Sequence, residues 1–172
     1  MWLKTLITIF LFYLLAVLQS SFFLHFNIMG IAPNFVLIFF FIIVFFSARG
    51  GPVLDWENLL YSVTAGFFLD VYSYSYFGIS IVLLLAISIL AKKIMQSLRE
   101  KKDKYPIAYF APLFLIFYVF YDVFSGLFVF FFDPAHIIFS FTWPLLIRIL
   151  YNLTAAIFVF YICKGFVKLY KL

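Results

Sequence analysis

Residues 107 to 132 read IAYFAPLFLIFYVFYDVFSGLFVFFF, an apolar run broken by one charged residue, Asp122. The run is longer than the roughly 20 residues that carry an α-helix across a ~30 Å hydrocarbon core. Outward from it the chain offers five further apolar runs, near 4 to 24, 32 to 48, 57 to 71, 76 to 93 and 143 to 165. Across 172 residues, 67% are hydrophobic and only 11% charged, with 28 Phe and 12 Tyr, too few polar side chains to clothe a soluble domain. The runs are continuous, whereas the strands of a membrane barrel alternate lipid-facing and lumen-facing positions over about ten residues. The expected fold is therefore an all-α integral membrane protein. It is read as a six-transmembrane-helix bundle forming one domain over residues 1 to 172. The second and third runs are short, so each is expected to extend into its flanks, stand upright or be shielded by neighbours.

The net charge of +5 is concentrated in short segments beside the runs, which reads as a topology signal and not as a nucleic-acid surface. Lys4 precedes the first run and Arg49 separates the second from the third. Lys92, Lys93, Arg99, Lys101, Lys102 and Lys104 fill the loop after the fourth, and Lys164, Lys168 and Lys171 follow or close the sixth. The alternate connections, around 25 to 31, 72 to 75 and 133 to 142, hold no Lys or Arg. Six crossings put all the basic segments on one side, and the positive-inside rule makes both termini cytoplasmic. The basic loop KKIMQSLREKKDK, 92 to 104, reads first as a topology anchor and second as a site for anionic lipid or an acidic partner. Lys4, an apolar stretch and QSS imitate a signal peptide, but the continuation FFLHF makes a poor mature start, so the first run reads as a true span.

Small and polar residues at helical spacing mark the faces that meet other helices in a membrane. The first run offers Thr5, Thr8, Ala16, Gln19 and Ser20; the third Ser62, Ala65, Gly66 and Asp70. The fifth offers Ala111, Tyr118, Asp122 and Ser125; the sixth Arg148, Asn152, Ala155 and Ala156. Phe, Leu and Ile are then expected on the outer surface. A charge deep in the bilayer costs about 2.5 to 3.5 kcal/mol on insertion scales, so Asp70, Asp122 and Arg148 are expected to face inward and find partners. Asp122 and Arg148 fall at similar depths on successive spans, which predicts an ion pair whose simplest role is to fix helix register. Asp70 ends the third span, where the helix dipole disfavours a carboxylate, so amide donors of the next turn or a neighbouring helix must stabilise it. It either locks the hairpin to the fourth span or lines a pocket, the lock being the simpler reading. Gly78 serves that turn or a close approach. Trp2, Trp56, Trp143 and Tyr72, Tyr74, Tyr76 and Tyr105 sit near span ends, as interfacial aromatics do, and Pro33, Pro106 and Pro144 near helix starts.

Cys163 is the one cysteine, and His25 and His136 are far apart, so neither a metal centre nor a disulfide framework is expected. Cys163 reads as a packing residue and the histidines as interfacial. No nucleophile, base and acid pattern and no glycine-rich phosphate loop is present, which argues against an enzyme and against a cofactor.

Two segments together, APNFVLIFFF at 32 to 41 and GFFLDVYSYSYFGIS at 66 to 80, with a second acid in FYDVFSG at 120 to 126, resemble the bacterial rod shape-determining MreD family. The residues carrying the resemblance are Pro33, Asn34, Gly66, Asp70 and Gly78. The chain departs from the family at Tyr74, where a small residue, usually Gly, is common. The resemblance implies a non-enzymatic scaffold subunit of the cell-elongation machinery in the bacterial cytoplasmic (inner) membrane. It implies transmembrane or juxtamembrane contact with MreC, and through MreC with the MreB filament and the peptidoglycan polymerase and transpeptidase. Membrane lipids and a second copy of the chain are further expected partners. The family's six-helix fold is similar to that of substrate-binding subunits of energy-coupling-factor transporters, which gives the alternative of a small-solute transporter subunit. Against it, the first run has only Ala16 where such subunits carry an alanine-rich docking stripe.

Overall fold

A computed structural model describes residues 2–27, 30–47, 55–72, 76–98, 106–132 and 143–169. Among the described residues six α-helices follow one another: α1 (Trp2–Ser21), α2 (Phe35–Ser47), α3 (Trp56–Tyr72), α4 (Ile79–Ser97), α5 (Pro106–Phe132) and α6 (Trp143–Leu169), with a 3-10 turn, Phe23–Phe26, after α1. Four of them, α1, α4, α5 and α6, are long and apolar enough to cross a membrane, whereas α2 has only 13 residues. At 1.5 Å per residue α2 is about 20 Å long, short of the hydrocarbon thickness.

The surroundings of α2 explain how so short a helix is accommodated. It carries no charged residue, and Val36, Leu37, Ile38, Phe40, Phe41, Ile42, Val44 and Phe45 are all buried. A helix apolar on every side belongs in the middle of a bundle. It packs against α1, α3, α4 and α6 by backbone proximity and against α5 through rings. Phe41 meets Phe110, Phe114 and Phe117, and Phe110 lies 4.5 Å from Phe160 between ring centroids. The expectation that phenylalanine forms the outer surface is thus corrected. Phe12, Phe40, Phe41, Phe45, Phe110, Phe114, Phe117 and Phe160 build the core, because association in lipid depends on packing and edge-to-face rings pack well. Phenylalanines also cover the outside, so the residue type carries no facing information here.

The helix ends differ from the expected ones for local reasons. The first run stops at Ser21, and His25 lies in the 3-10 turn, with Nδ1 3.2 Å from the Ser21 carbonyl. The fourth helix begins at Ile79 and not at 76, because Gly78 has φ +101°, a left-handed conformation that no helix interior accepts. Pro106 opens α5 and Pro144 is the second residue of α6, while Pro112 lies inside α5. Trp56, Tyr72 and Tyr76 are exposed near helix ends. Cys163 is half-buried and packs on the core.

The largest correction concerns the basic loop. Lys92 and Lys93 are not in a loop: α4 runs on to Ser97 and carries both. Lys93 is exposed, but Lys92 is only 1% exposed and its Nζ lies 3.5 Å from Asp55 Oδ2. One hundred degrees of rotation separates consecutive helical residues, so adjacent lysines face differently. Arg99, Lys101, Lys102 and Lys104 lie outside the described residues, as do His136 and Tyr74.

Candidate functional site

The most extensive helix pair, α3 with α4, is built around a glycine and an aspartate. A Cβ on Gly66 would lie 2.5 Å from Ile81 Cα and 2.6 Å from Ile81 N, so only a hydrogen at this position lets the two backbones meet. Ser62, Ala65 and Asp70 are buried on the same face. One turn beyond Gly66, Asp70 Oδ2 accepts a hydrogen bond from Gly78 N at 2.7 Å, and Oδ1 one from Ser80 N at 2.9 Å. The carboxylate that is badly placed at the C-terminus of α3 is therefore well placed at the N-terminus of α4. There it satisfies amides that the helix leaves without carbonyl partners and meets the positive end of the dipole. Gly78 has open space where a Cβ would stand, so the glycine serves the turn through its positive φ and not a close approach.

From this lock polar contacts run on through the other helices. Ser80 Oγ and Tyr121 Oη are 2.8 Å apart, joining α4 to α5. Arg148 Nη1 donates to Asp122 Oδ1 at 3.0 Å, joining α5 to α6. Asn152, 1% exposed, gives its Nδ2 to Tyr118 Oη at 3.0 Å and to the Arg148 carbonyl at 2.9 Å. Its Oδ1 accepts from Asn34 N at 2.7 Å, which ties α6 to the start of α2. Asn34 is also the N-cap of α2, its Oδ1 accepting from Leu37 N at 3.0 Å. Gln19 Oε1 of α1 accepts from Val36 N at 3.4 Å. Pro33 precedes this cap, outside the helix. All six helices are thus joined at one end of the bundle, where α1, α3 and α5 end and α2, α4 and α6 begin.

The sequence-derived residues sort clearly on this geometry. Asp70, Asp122, Arg148, Asn152, Asn34, Gly66 and Gly78 all belong to the network or to the hairpin that carries it. Arg148 departs from expectation in facing partly outward, with 47% of its side chain exposed against 20% for Asp122. Arg148 lies near the start of α6, where its long side chain stays partly exposed while its Nη1 reaches Asp122. The partly exposed pair is a modest stabiliser. A double-mutant cycle with Asp122→Ala and Arg148→Ala in SDS unfolding should give a coupling of about 1 kcal/mol. No measurable coupling would show the pair to be energetically idle.

Two features of the network were hidden from the sequence. Tyr118, on the polar stripe expected of the fifth run, meets Asn152 through its hydroxyl, whereas Tyr121, whose hydroxyl meets Ser80, does not stand out in a chain so rich in tyrosine. An apolar cavity lies among α2, α4 and α5, lined by Leu37, Phe40, Ile87, Phe114 and Tyr118, with Asp70 not among its walls. Both Asp70 oxygens are engaged by amides, which is the behaviour of a lock. Among the described residues no group of three His, Cys, Asp or Glu side chains is arranged to hold a metal.

The family model described as rod shape-determining protein MreD matches residues 1–169. No curated protein and no solved structure matches the chain.

Proposed function

Because the chain belongs to the MreD family of rod shape-determining membrane proteins, we propose that it is a scaffold subunit of the cell-elongation complex. In this reading it binds MreC and helps couple peptidoglycan synthesis to cell shape. The observation that carries the reading is the match over residues 1–169, which takes in every described helix. The chemistry of the bundle agrees with it. The polar side chains at the joined end are spent on one another, holding helix ends together.

The proposed placement is multi-pass in the bacterial inner membrane, with six crossings and both termini cytoplasmic, so that the joined end faces outward. Lys4 at one end of α1 and Lys164 near the last turns of α6 support it, both exposed. Ala16, the single alanine of the first helix, is buried at 2% exposure and so is not offered for docking a transporter's coupling protein. The outward faces of α1 and α6, with Leu6, Phe10 and Leu14 exposed on one and Leu146, Leu150 and Phe158 on the other, are the proposed apolar surfaces for a single MreC helix or a second copy.

Photo-crosslinking residues placed singly at Leu14, Leu150 and Phe158 in growing cells test the reading. MreC is expected in the crosslinked product from one of these faces. Failure to capture MreC from either face, with normal insertion of the labelled chains, would refute the scaffold role as stated.

A further inference from the structure

At the opposite end of the bundle lies a second polar cluster that the network does not use. Asp55 stands just before α3, its carbonyl accepting from Leu59 N at 3.1 Å, and Asn58 sits in the first turn of that helix. Lys92 faces them from α4. Gly66 against Ile81 and Asp55 against Lys92 are separated by the same number of residues on each strand of the hairpin, so they define one antiparallel register. That register sets Asn58 level with Ile89, one turn from Lys92.

Asn58 is 3% exposed and Lys92 1% exposed, yet among the described residues Asn58 Oδ1, Asn58 Nδ2 and Lys92 Nζ make no hydrogen bond. Among the described residues the ionic contact of the ammonium is with Asp55 Oδ2 at 3.5 Å, longer than a charge-assisted hydrogen bond of about 2.8 Å. Leaving a buried ammonium and a buried amide in this condition is costly, so the cluster calls for another group. The inventory says which kind. Among the unpaired groups, Lys92 Nζ and Asn58 Nδ2 carry five N–H donors against the one unpaired oxygen of Asn58, so a further acceptor-bearing group is what the cluster takes. The first-turn amides of α3 add positive potential at the same place, offset in part by the Asp55 and Glu57 carboxylates.

Depth identifies the acceptor. Trp56, next to Asp55, is 72% exposed, and an exposed tryptophan at a helix end marks the headgroup layer. Lys93, exposed, lies beside Lys92 on α4. The Asp55 side chain is 35% exposed, so the carboxylate in contact with the ammonium also reaches the surface. We infer that Lys92, Asn58 and the start of α3 form a phosphate-binding site at headgroup depth. It takes the phosphate of an anionic phospholipid, or free phosphate, which joins or displaces Asp55 at the ammonium.

The test uses the full chain in neutral detergent with three probes: phosphatidylglycerol in mixed micelles, phosphatidylcholine at the same fraction, and inorganic phosphate. Unfolding midpoints and native mass spectrometry are the readouts. Phosphatidylglycerol should remain bound and raise the midpoint by several degrees, phosphatidylcholine should do neither, and Lys92→Met should abolish the effect while Lys93→Met keeps it. A Lys92-dependent shift with inorganic phosphate alone supports the site and assigns it to the free ion. Asn58→Leu provides a second variant should Lys92→Met fail to fold. It removes an unpaired buried amide, so it should fold at least as well and bind phosphatidylglycerol several-fold more weakly. Undiminished binding in Asn58→Leu or Lys92→Met, an equal loss in Lys93→Met, or a wild type that neither retains phosphatidylglycerol nor responds to inorganic phosphate would each overturn the inference.

Discussion

Gly66→Leu is expected to prevent the α3–α4 hairpin from closing, and Gly66→Ala alone should lower bundle stability by about 1 to 3 kcal/mol. Two effects of opposite sign meet at this position. Alanine is the better helix former, worth about 1 kcal/mol over glycine in a helix interior. Against this, the added Cβ would stand 2.5 Å from Ile81 Cα and 2.6 Å from Ile81 N, both backbone atoms that no rotamer change can move. The helices must separate, and every contact between α3 and α4 loosens with them, the most extensive helix pair in the bundle. The clash therefore outweighs the propensity. Gly165 in α6 is the control, since nothing lies within 4 Å of a Cβ there, and Gly165→Ala should be neutral or slightly stabilising. SDS titration of the purified variants measures both. Equal behaviour of Gly66→Ala and Gly165→Ala would mean that the close helix approach at Ile81 is not energetically significant. In cells the leucine variant should also fail to support rod shape, because the hairpin sits inside the fold and not at its edge.

How much of this is legible in the sequence depends on whether a residue's partner is close along the chain or set by tertiary register. Asp70 and Gly78 are readable together, because an acid at a helix end needs donors and Gly78, eight residues on, marks the turn into the next helix. Asp122 and Arg148 were readable as a pair, because counting from the ends of two successive helices gives their depths without any packing information. The membrane class followed from long apolar runs, since no other solvent accepts them. Facing was another matter. In α2 every residue from Phe35 to Phe46 is apolar, so its sequence has no polar side from which to infer a buried one, and its central place emerges only from its neighbours. Lys92 and Lys93 look alike in a segment rich in lysine. Only the register fixed by Gly66 and Ile81 shows that the first points inward to Asp55 and the second to the surface. For the same reason no sequence feature marks Asn58, and the amide of Asn34 is assigned to Asn152, 118 residues away, only by the fold.

Asp70→Ala is expected to destabilise the bundle by about 3 kcal/mol, and comparison with Asp70→Asn decides between a structural and a ligand-binding carboxylate. The aspartate is 4% exposed and accepts from two backbone amides, Gly78 N and Ser80 N. Hydrogen bonds to a charged group contribute about 1.5 to 3 kcal/mol each, and a buried amide left without an acceptor costs about 1 to 3 kcal/mol. Alanine removes both acceptors, and water reaches the site poorly, so the loss falls at the upper part of this range once partial relaxation of the turn is allowed for. Asparagine keeps one oxygen acceptor but turns an amide NH2 toward the second N–H, placing donor against donor. It should therefore recover less than half of the loss. Because Asp70 acts through α4, its substitution should also disturb the next link, Ser80 Oγ to Tyr121 Oη, and raise hydrogen exchange at Gly78, Ser80 and the first turn of α4. If instead the carboxylate served a ligand, Asp70→Asn would fold with near-normal stability and normal exchange at Gly78 and Ser80, yet fail to maintain rod shape in cells. That combination would refute the lock. Parallel loss of stability, amide protection and shape function across Asn and Ala is the result the geometry requires, because a carboxylate with both oxygens held by the start of α4 has no free acceptor to offer a ligand without opening the hairpin.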